Sequence, residues 1–324
     1  MKTKEEDSDL YQHTLHVFRL HEPLLSDAAR NRAFYAALKQ HVLPGATVLD
    51  IGSGTGLWAI AAARLGASKV VAIERDSLLI PIIRRLAREN QVADKIEIVE
   101  SDSRQFKTSD RFDLIVSETI GNEGFDEEIV PIMIDARKRL LKRGGVLIPR
   151  SLSIVAAAAH LKSPKLPAVA PVQYKYFESL NLNIPIVLTE RKRLRLLSEP
   201  VELARVDLMT VQRPPKLNRL TARWQMSDLP QINCFVIWAE ATIGEAVHIK
   251  TINTSSWNPI VYRIKPFETA RGEIELKLSI NGKAYHWSAS LPSNPKEPKR
   301  AYAPMSAYTA IEAQMQTAAP VNQP

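Results

Sequence analysis

An α/β fold is predicted, with a parallel sheet covered by helices and a β-rich second half, and three observations predict it. Between Val48 and Pro149 short apolar runs alternate with helical stretches, as strands and crossover helices of a parallel sheet do. The run Val48-Leu49-Asp50-Ile51 leads into Gly52-Ser53-Gly54-Thr55-Gly56, whose glycines let the backbone turn sharply under a ligand before a helix starts at Leu57. After Pro149 the apolar period becomes two, most plainly in Glu273 to Ile280, which marks a β-rich segment.

Taken in order, the first half gives strands at Val48 to Ile51, Val70 to Glu74, Ile96 to Glu100, Phe112 to Ser117 and Val146 to Ile148, with helices at Leu57 to Leu65, Ser77 to Asn90 and Glu127 to Leu141. In such a Rossmann-like sheet ligands bind beyond the carboxyl ends of the strands, so Gly52 to Gly56, Glu74, Asp102 and Glu118 are the positions to inspect. Glu74 closes its strand where a carboxylate can take both hydroxyls of a ribose, which points to a nucleoside. A dinucleotide site uses G-x-G-x-x-G to bring a helix N-terminus to the pyrophosphate. This chain has G-x-G-x-G instead, and Asp50, Gly52, Gly54 and Gly56 together resemble motif I of the class I methyltransferases, which favours S-adenosylmethionine over NAD. Asp102 and Ser103 follow the third strand, where class I methyltransferases often bind the adenine amino group. Ser-Asp-Ser is equally ordinary turn chemistry.

The second half gives strands at Ser153 to Ala157, Glu202 to Leu208, Gln231 to Ala239, Ala246 to Thr251, Ile260 to Arg263 and Glu273 to Ile280. Leu161 to Pro200 interrupts them with prolines and the basic run Arg191 to Arg195, read as a solvated helix face rather than a nucleic-acid patch because no aromatics are interleaved with it. Residues from about 296 to 324 read as a flexible tail, poor in large apolar side chains.

Composition bounds the rest. A chain of 324 residues, 45% hydrophobic, can bury a sizeable core, and the formal charge of +8 is weak evidence for an acidic partner. The single cysteine, Cys234, excludes an intramolecular disulfide and a cysteine-based zinc cluster and fits a reducing compartment. The charged N-terminus is no secretory signal and no run of about 18 apolar residues follows, so a cytoplasmic protein with no membrane partner is expected.

The fourth strand runs into a loop, Ser117 to Glu128, holding five acidic residues, Glu118, Glu123, Asp126, Glu127 and Glu128. Crowded carboxylates at the ligand end of a sheet call for a cation among them. Asp126 and Glu128 are accounted for by the N-terminus of the next helix, whereas Glu118 directly follows a buried strand and no helix needs it there.

On these residues the chain resembles the protein arginine methyltransferase family, from about Tyr11 to Leu291. Glu118 and Glu127, nine positions apart, resemble its double-glutamate hairpin. His21 to Arg30 resembles the N-terminal helix that closes over the cofactor, Gly144 to Pro149 the last Rossmann strand leading into a β-barrel, and Ser255-Ser256-Trp257 the Thr-His-Trp loop, with Ser256 in place of the histidine. The resemblance implies a helical cap over residues 1–45, an S-adenosylmethionine-binding domain over 46–150 and a barrel-like domain over 151–295, with a dimerisation arm near 161–200 and hence a homodimer. It also implies that Glu118 and Glu127 are the catalytic clamp, that Arg30 pairs with the cofactor carboxylate, that His21 lines the site, that Trp257 stands on the substrate side and that no metal takes part. A protein arginine acceptor is the leading reading. A small molecule or non-arginine acceptor on the same fold is the alternative, and a scaffold without activity the third.

Overall fold

The computed structural model describes residues 4–122, 124–125, 127–163, 185–281 and 284–302. Two helices, α1 (Lys4–Ser26) and α2 (Ala28–His41), come first. They precede β1 (Thr47–Ile51), α3 (Leu57–Arg64), β2 (Lys69–Glu74), α4 (Leu79–Glu89), β3 (Ile96–Glu100), β4 (Phe112–Ser117), α5 (Ile129–Arg139) and β5 (Leu141–Ile148). Strands then dominate: β6 (Ser151–Leu161), β7 (Pro185–Val187), β8 (Leu194–Leu196), β9 (Val201–Asp207), β10 (Leu220–Met226), β11 (Cys234–Gly244), β12 (Val247–Lys250), β13 (Ile260–Arg263), β14 (Gly272–Asn281), β15 (Ala284–Ser290) and β16 (Arg300–Tyr302). No helix among the described residues is long and apolar enough to cross a membrane.

The first compact unit comprises 1–153, 205–215 and 239–258. Its sheet has the order β3-β2-β1-β4-β5, parallel throughout. The chain leaves β1 toward β2 on one side and returns to β4 on the other, so the carboxyl ends of β1 and β4 flank the crevice where such sheets bind ligands. Val48, Leu49, Val70, Val71, Ala72, Leu114, Ile115 and Val116 are all buried, as strands covered on both faces require. Helix α4 presents Leu79, Ile80, Ile83 and Ala87 to the core and turns its arginines outward. Asp27 caps α2, its side chain accepting from the Arg30 amide, and this fixes where the cap helices break. In the same unit β12 pairs antiparallel with the second half of β11.

The second unit comprises 154–204, 216–238 and 259–324. It holds the antiparallel sheet β10-β14-β15-β16 and the antiparallel pairings of β7 with β13, β13 with the start of β11, and β6 with β8. Cys234 is buried in β11, its thiol pushed up to about 12 by burial.

Several expectations are corrected here. The units are not the consecutive blocks 46–150 and 151–295, because 205–215 and 239–258 pack with the parallel sheet. The basic run is no helix face: a short turn of 3-10 helix at Arg191–Arg193 passes into β8, where Arg195 lies opposite His160. The tail begins later than 296, since Arg300 is buried in β16. Helix α5 starts at Ile129 rather than Glu127, and Glu128 at its N-cap makes no side-chain cap bond. Strands β7, β8, β10, β15 and β16 are additions to the predicted set. Most of the expected arm near 161–200, and residues 303–324 of the tail, lie outside the described residues.

Candidate active site at the carboxyl ends of β1 and β4

Backbone hydrogen bonds hold the turn after β1 to the end of β2. Gly52 and Ser53 both donate to the Ile73 carbonyl, at 2.9 and 3.0 Å, and Gly56 donates to Ser53 at 2.8 Å. At Gly54 φ is +57°, and a Cβ there would stand 2.9 Å from the His21 ring. At Gly52 φ is +69°, and a Cβ would stand 2.8 Å from the Thr119 methyl. Side chains are excluded from this surface by conformation and by space, which leaves it as bare backbone.

Two carboxylates serve the turn differently. Glu74 is 7% exposed at the end of β2. Its Oε2 accepts from the Gly54 amide at 2.8 Å and its Oε1 from the Arg75 and Asp76 amides, so it is set at the turn in one orientation. Asp50 is fully buried beneath the turn rather than on its ligand side. Its Oδ2 accepts from the Ala59 amide at 2.9 Å, bracing the first turn of α3, and its Oδ1 has no hydrogen-bond partner among the described residues. Burial pushes its pKa up to about 7, against the Ala59 and Ser53 hydrogen bonds and with a contribution from the Glu74 charge.

Asp102 lies beyond β3. Its carboxylate is engaged by Arg104, through the backbone amide and a two-pronged side-chain contact at 3.1 and 3.0 Å, and this guanidinium holds its pKa down. Ser103 beside it is buried and its carbonyl accepts from Arg139.

From α1 His21 reaches the turn, and from α2 Arg30 reaches the end of β4. The His21 imidazole lies against Gly54, and burial lowers its pKa although Glu74 and Asp76 oppose that. Farther along α1, His13 Nε2 meets the Asp76 carboxylate at 2.8 Å. Arg30 is 3% exposed and pairs with Glu118, the residue directly after β4. Its Nη1 donates to the Leu24 carbonyl at 3.1 Å and to Asn31 at 2.7 Å. The rings of Trp58 and Trp257 each lie 5.5 Å from its guanidinium carbon. Burial brings the Arg30 pKa down to about 10, and the charges of Asp27 and Glu127 oppose it. Glu127 is exposed and electrostatically coupled to this guanidinium, whereas the Glu118 side chain is 7% exposed in its pair. Glu123 and Asp126 lie outside the described residues.

Two ties that sequence reasoning missed fix the loop around Trp257, itself 4% exposed. Asn122 of the carboxylate hairpin accepts from the Asn258 amide at 2.7 Å. Asp27, 1% exposed, accepts from the Ser255 and Ser256 amides, each at 2.8 Å, and from the Ser256 hydroxyl at 2.7 Å. Ser255 lies 228 positions from Asp27, so no local signal in the sequence points to this tie.

The bare glycine turn, the oriented Glu74 carboxylate and the unpartnered Nε of buried Arg30 fit a nucleoside bearing a carboxylate. Comparison with known proteins agrees with that chemistry. The family model for ribosomal protein L11 methyltransferase matches residues 34–152. A probable protein arginine N-methyltransferase 6.1 of Oryza sativa subsp. indica is 25% identical over 306 residues, covering 89% of this chain and 79% of that protein. Protein arginine N-methyltransferase 6 of Xenopus tropicalis is 31% identical over 155 residues, 47% of this chain and 45% of the other. An arginine N(omega)-methyltransferase of Streptomyces achromogenes subsp. streptozoticus is 37% identical over 137 residues, 41% of this chain and 38% of the other. Among solved structures, the PRMT1 enzyme-prozyme heterotetrameric complex of Trypanosoma brucei with AdoHcy shares the fold at a TM-score of 0.72 and 18% identity, over 88% of this chain and 98% of that one. Arabidopsis thaliana protein arginine methyltransferase 10 does so at 0.72 and 19%, over 87% and 96%.

Proposed function

We propose that the chain belongs with the protein arginine methyltransferases among the class I S-adenosylmethionine-dependent methyltransferases, and that it methylates a guanidino nitrogen held by Glu118 and Glu127. One observation carries this reading: Glu118, its side chain buried at the cofactor end of β4, takes a guanidinium, that of Arg30, as its partner. In that pairing the Glu118 carboxylate is placed and oriented to accept from a planar guanidinium, the chemistry a guanidino acceptor needs.

In this reading Gly52, Gly54 and Gly56 pass beneath the cofactor, Glu74 holds its ribose, Asp102 and Ser103 flank the adenine, Arg30 takes its carboxylate and His21 lines the berth. Asp50 supports the turn from below. Bound S-adenosylmethionine supplies a methyl group on an electrophilic sulfonium. The protein's task is then orientation. A guanidinium is a poor nucleophile whose charge is delocalised, and two carboxylates accepting its N–H groups select one terminal nitrogen and concentrate electron density on it. Near-attack placement accounts for much of the acceleration, up to about 7 to 11 kcal/mol for well-oriented reactants. Trp257, packed on Arg30, walls the substrate side.

The Glu118→Gln and Glu127→Gln variants are expected to keep the thermal shift given by S-adenosylhomocysteine and to lose about a hundredfold or more in methyl transfer, the scale of a lost transition-state contact. The assay is radiolabelled methyl transfer into cell extract, Arg-Gly-rich peptide, free arginine and agmatine. Turnover retained by both variants removes the clamp.

A second acceptor class is favoured by one comparison, since the Streptomyces relative is named for arginine without reference to a protein. Label entering free arginine and sparing peptide selects that small-molecule reading. We read the enzyme further as cytoplasmic, on its single buried cysteine, and as a homodimer. Fractionation of cells expressing the tagged chain tests the first of these, and a membrane or secreted pool would exclude it.

A further inference from the structure

Arg30 has five N–H donors, and their partners are unevenly assigned. Nη2 is on Glu118, and Nη1 is shared by the Leu24 carbonyl and Asn31. Nε is buried and has no hydrogen-bond partner among the described residues. Trp58, Trp257 and Phe34 stand around the guanidinium at 5.5, 5.5 and 6.0 Å, so apolar faces rather than water surround it. In that setting a single positive charge sets how much negative charge the site tolerates, because pairs this buried are screened far less than surface pairs.

We propose that Arg30 couples the two ligands of the site: it neutralises Glu118 while no cofactor is bound, and a cofactor carboxylate, taking Arg30 as counter-ion through the free Nε, returns negative charge to Glu118 for the acceptor. Cationic acceptor binding is then conditional on the cofactor's carboxylate, not on its nucleoside. Thermodynamic reciprocity follows: bound acceptor tightens the binding of a carboxylate-bearing cofactor by the same factor, and with no acceptor present the charge on Glu118 competes with that carboxylate for Arg30. Arg30 is in this sense a positioning residue for the acceptor, which it does not itself bind. The inference rests on the guanidino-acceptor reading above.

Calorimetric titration of the full chain separates the two. Arg-Gly-rich peptide and free arginine are titrated into the protein alone, into protein saturated with S-adenosylhomocysteine, and into protein saturated with methylthioadenosine, the same nucleoside without the amino-acid portion, its carboxylate and its ammonium together. The guanidine is expected to bind about tenfold more tightly with S-adenosylhomocysteine, a common size for coupling between sites, and to gain nothing from methylthioadenosine. Equal affinity in all three states, or an equal gain from both nucleosides, overturns the coupling and leaves the acceptor reading standing. Absence of guanidine binding in every state removes the acceptor reading instead, and a second arm that needs no acceptor then decides. Glu118→Gln should raise the ratio of S-adenosylhomocysteine to methylthioadenosine affinity about tenfold, with retained methylthioadenosine binding showing that the site is folded. An unchanged or smaller ratio overturns the proposal, and should the variant fail to fold, the wild-type titrations stand as the test.

Discussion

Asp50 and Asp27 are both buried carboxyl groups of the first unit, and their environments drive them in opposite directions. Burial pushes Asp27 up, but bonds from the Arg30 amide, the Ser256 hydroxyl and amide and the Ser255 amide outweigh it and hold its pKa low. Asp50 has one backbone donor at its side chain and an unpartnered second oxygen, so burial dominates and its pKa rises to about 7. An acid whose pKa is higher folded than unfolded holds its proton more tightly in the native state, so its effect is to lower stability as pH rises from about 4 to 7, with the full penalty above that. For Asp27 the sign is reversed: its stabilisation is present above about pH 4 and is lost as pH falls through the depressed value. Asp50→Asn keeps an acceptor for the Ala59 amide and removes the titration. Its melting temperature should therefore fall less than that of the wild type between pH 5 and pH 8, in scanning calorimetry of the two proteins side by side. Parallel curves would show that Asp50 does not titrate in that range.

At the scale of elements, the strand endings place the site and the termini of the second half test the packing. Arg300 in β16 donates from Nε to the Lys265 carbonyl at 3.0 Å and from Nη2 to the Pro266 carbonyl at 2.9 Å and to Glu297 at 3.0 Å, and it stands 4.9 Å from the Phe267 ring centre. Arg300→Ala removes the donors of the Lys265 and Pro266 carbonyls, while Glu297 keeps its bonds from the Glu268 and Thr269 amides, and should cost about 1 to 3 kcal/mol in urea unfolding. A loss under 1 kcal/mol would mean that β16 frays without consequence. The stretch from about 296 reads as tail because it is poor in large apolar side chains, and the Lys265 and Pro266 carbonyls that Arg300 meets lie 35 and 34 positions away, where no local pattern shows them. Strand β10 was passed over for a related reason. Leu-Thr-Ala-Arg-Trp-Gln-Met mixes helix-forming and strand-forming residues, and it is the pairing of Trp224 with Ile274 on β14 that decides the outcome. By contrast, Ile96 to Glu100, Phe112 to Ser117 and Ile260 to Arg263 fall where their apolar runs placed them.

For the whole molecule, the parallel-sheet unit gathers three separated stretches of chain, 1–153, 205–215 and 239–258, and the loop at Ser255 to Trp257 reaches the site only because of that gathering. Assembly is a property of the same scale. The Trypanosoma brucei neighbour is a heterotetrameric complex, and for this chain a homodimer is expected, with light scattering giving twice the 36.3 kDa of one chain. A monomer at micromolar concentration would exclude it.

By itself the sequence determined the parallel sheet, the glycine turn after β1, Glu74 at the end of β2 and Glu118 after β4, because each depends on apolar period, glycine geometry or position at a strand end, all local properties. Tertiary structure alone decided that Asp50 lies under the turn, that Arg104 holds Asp102, that Asp27 ties the α2 cap to Ser255 and Ser256, and that Arg30 is the partner of Glu118. Those outcomes depend on which charges meet across tens or hundreds of residues once water is excluded, and no periodicity in the chain encodes such meetings.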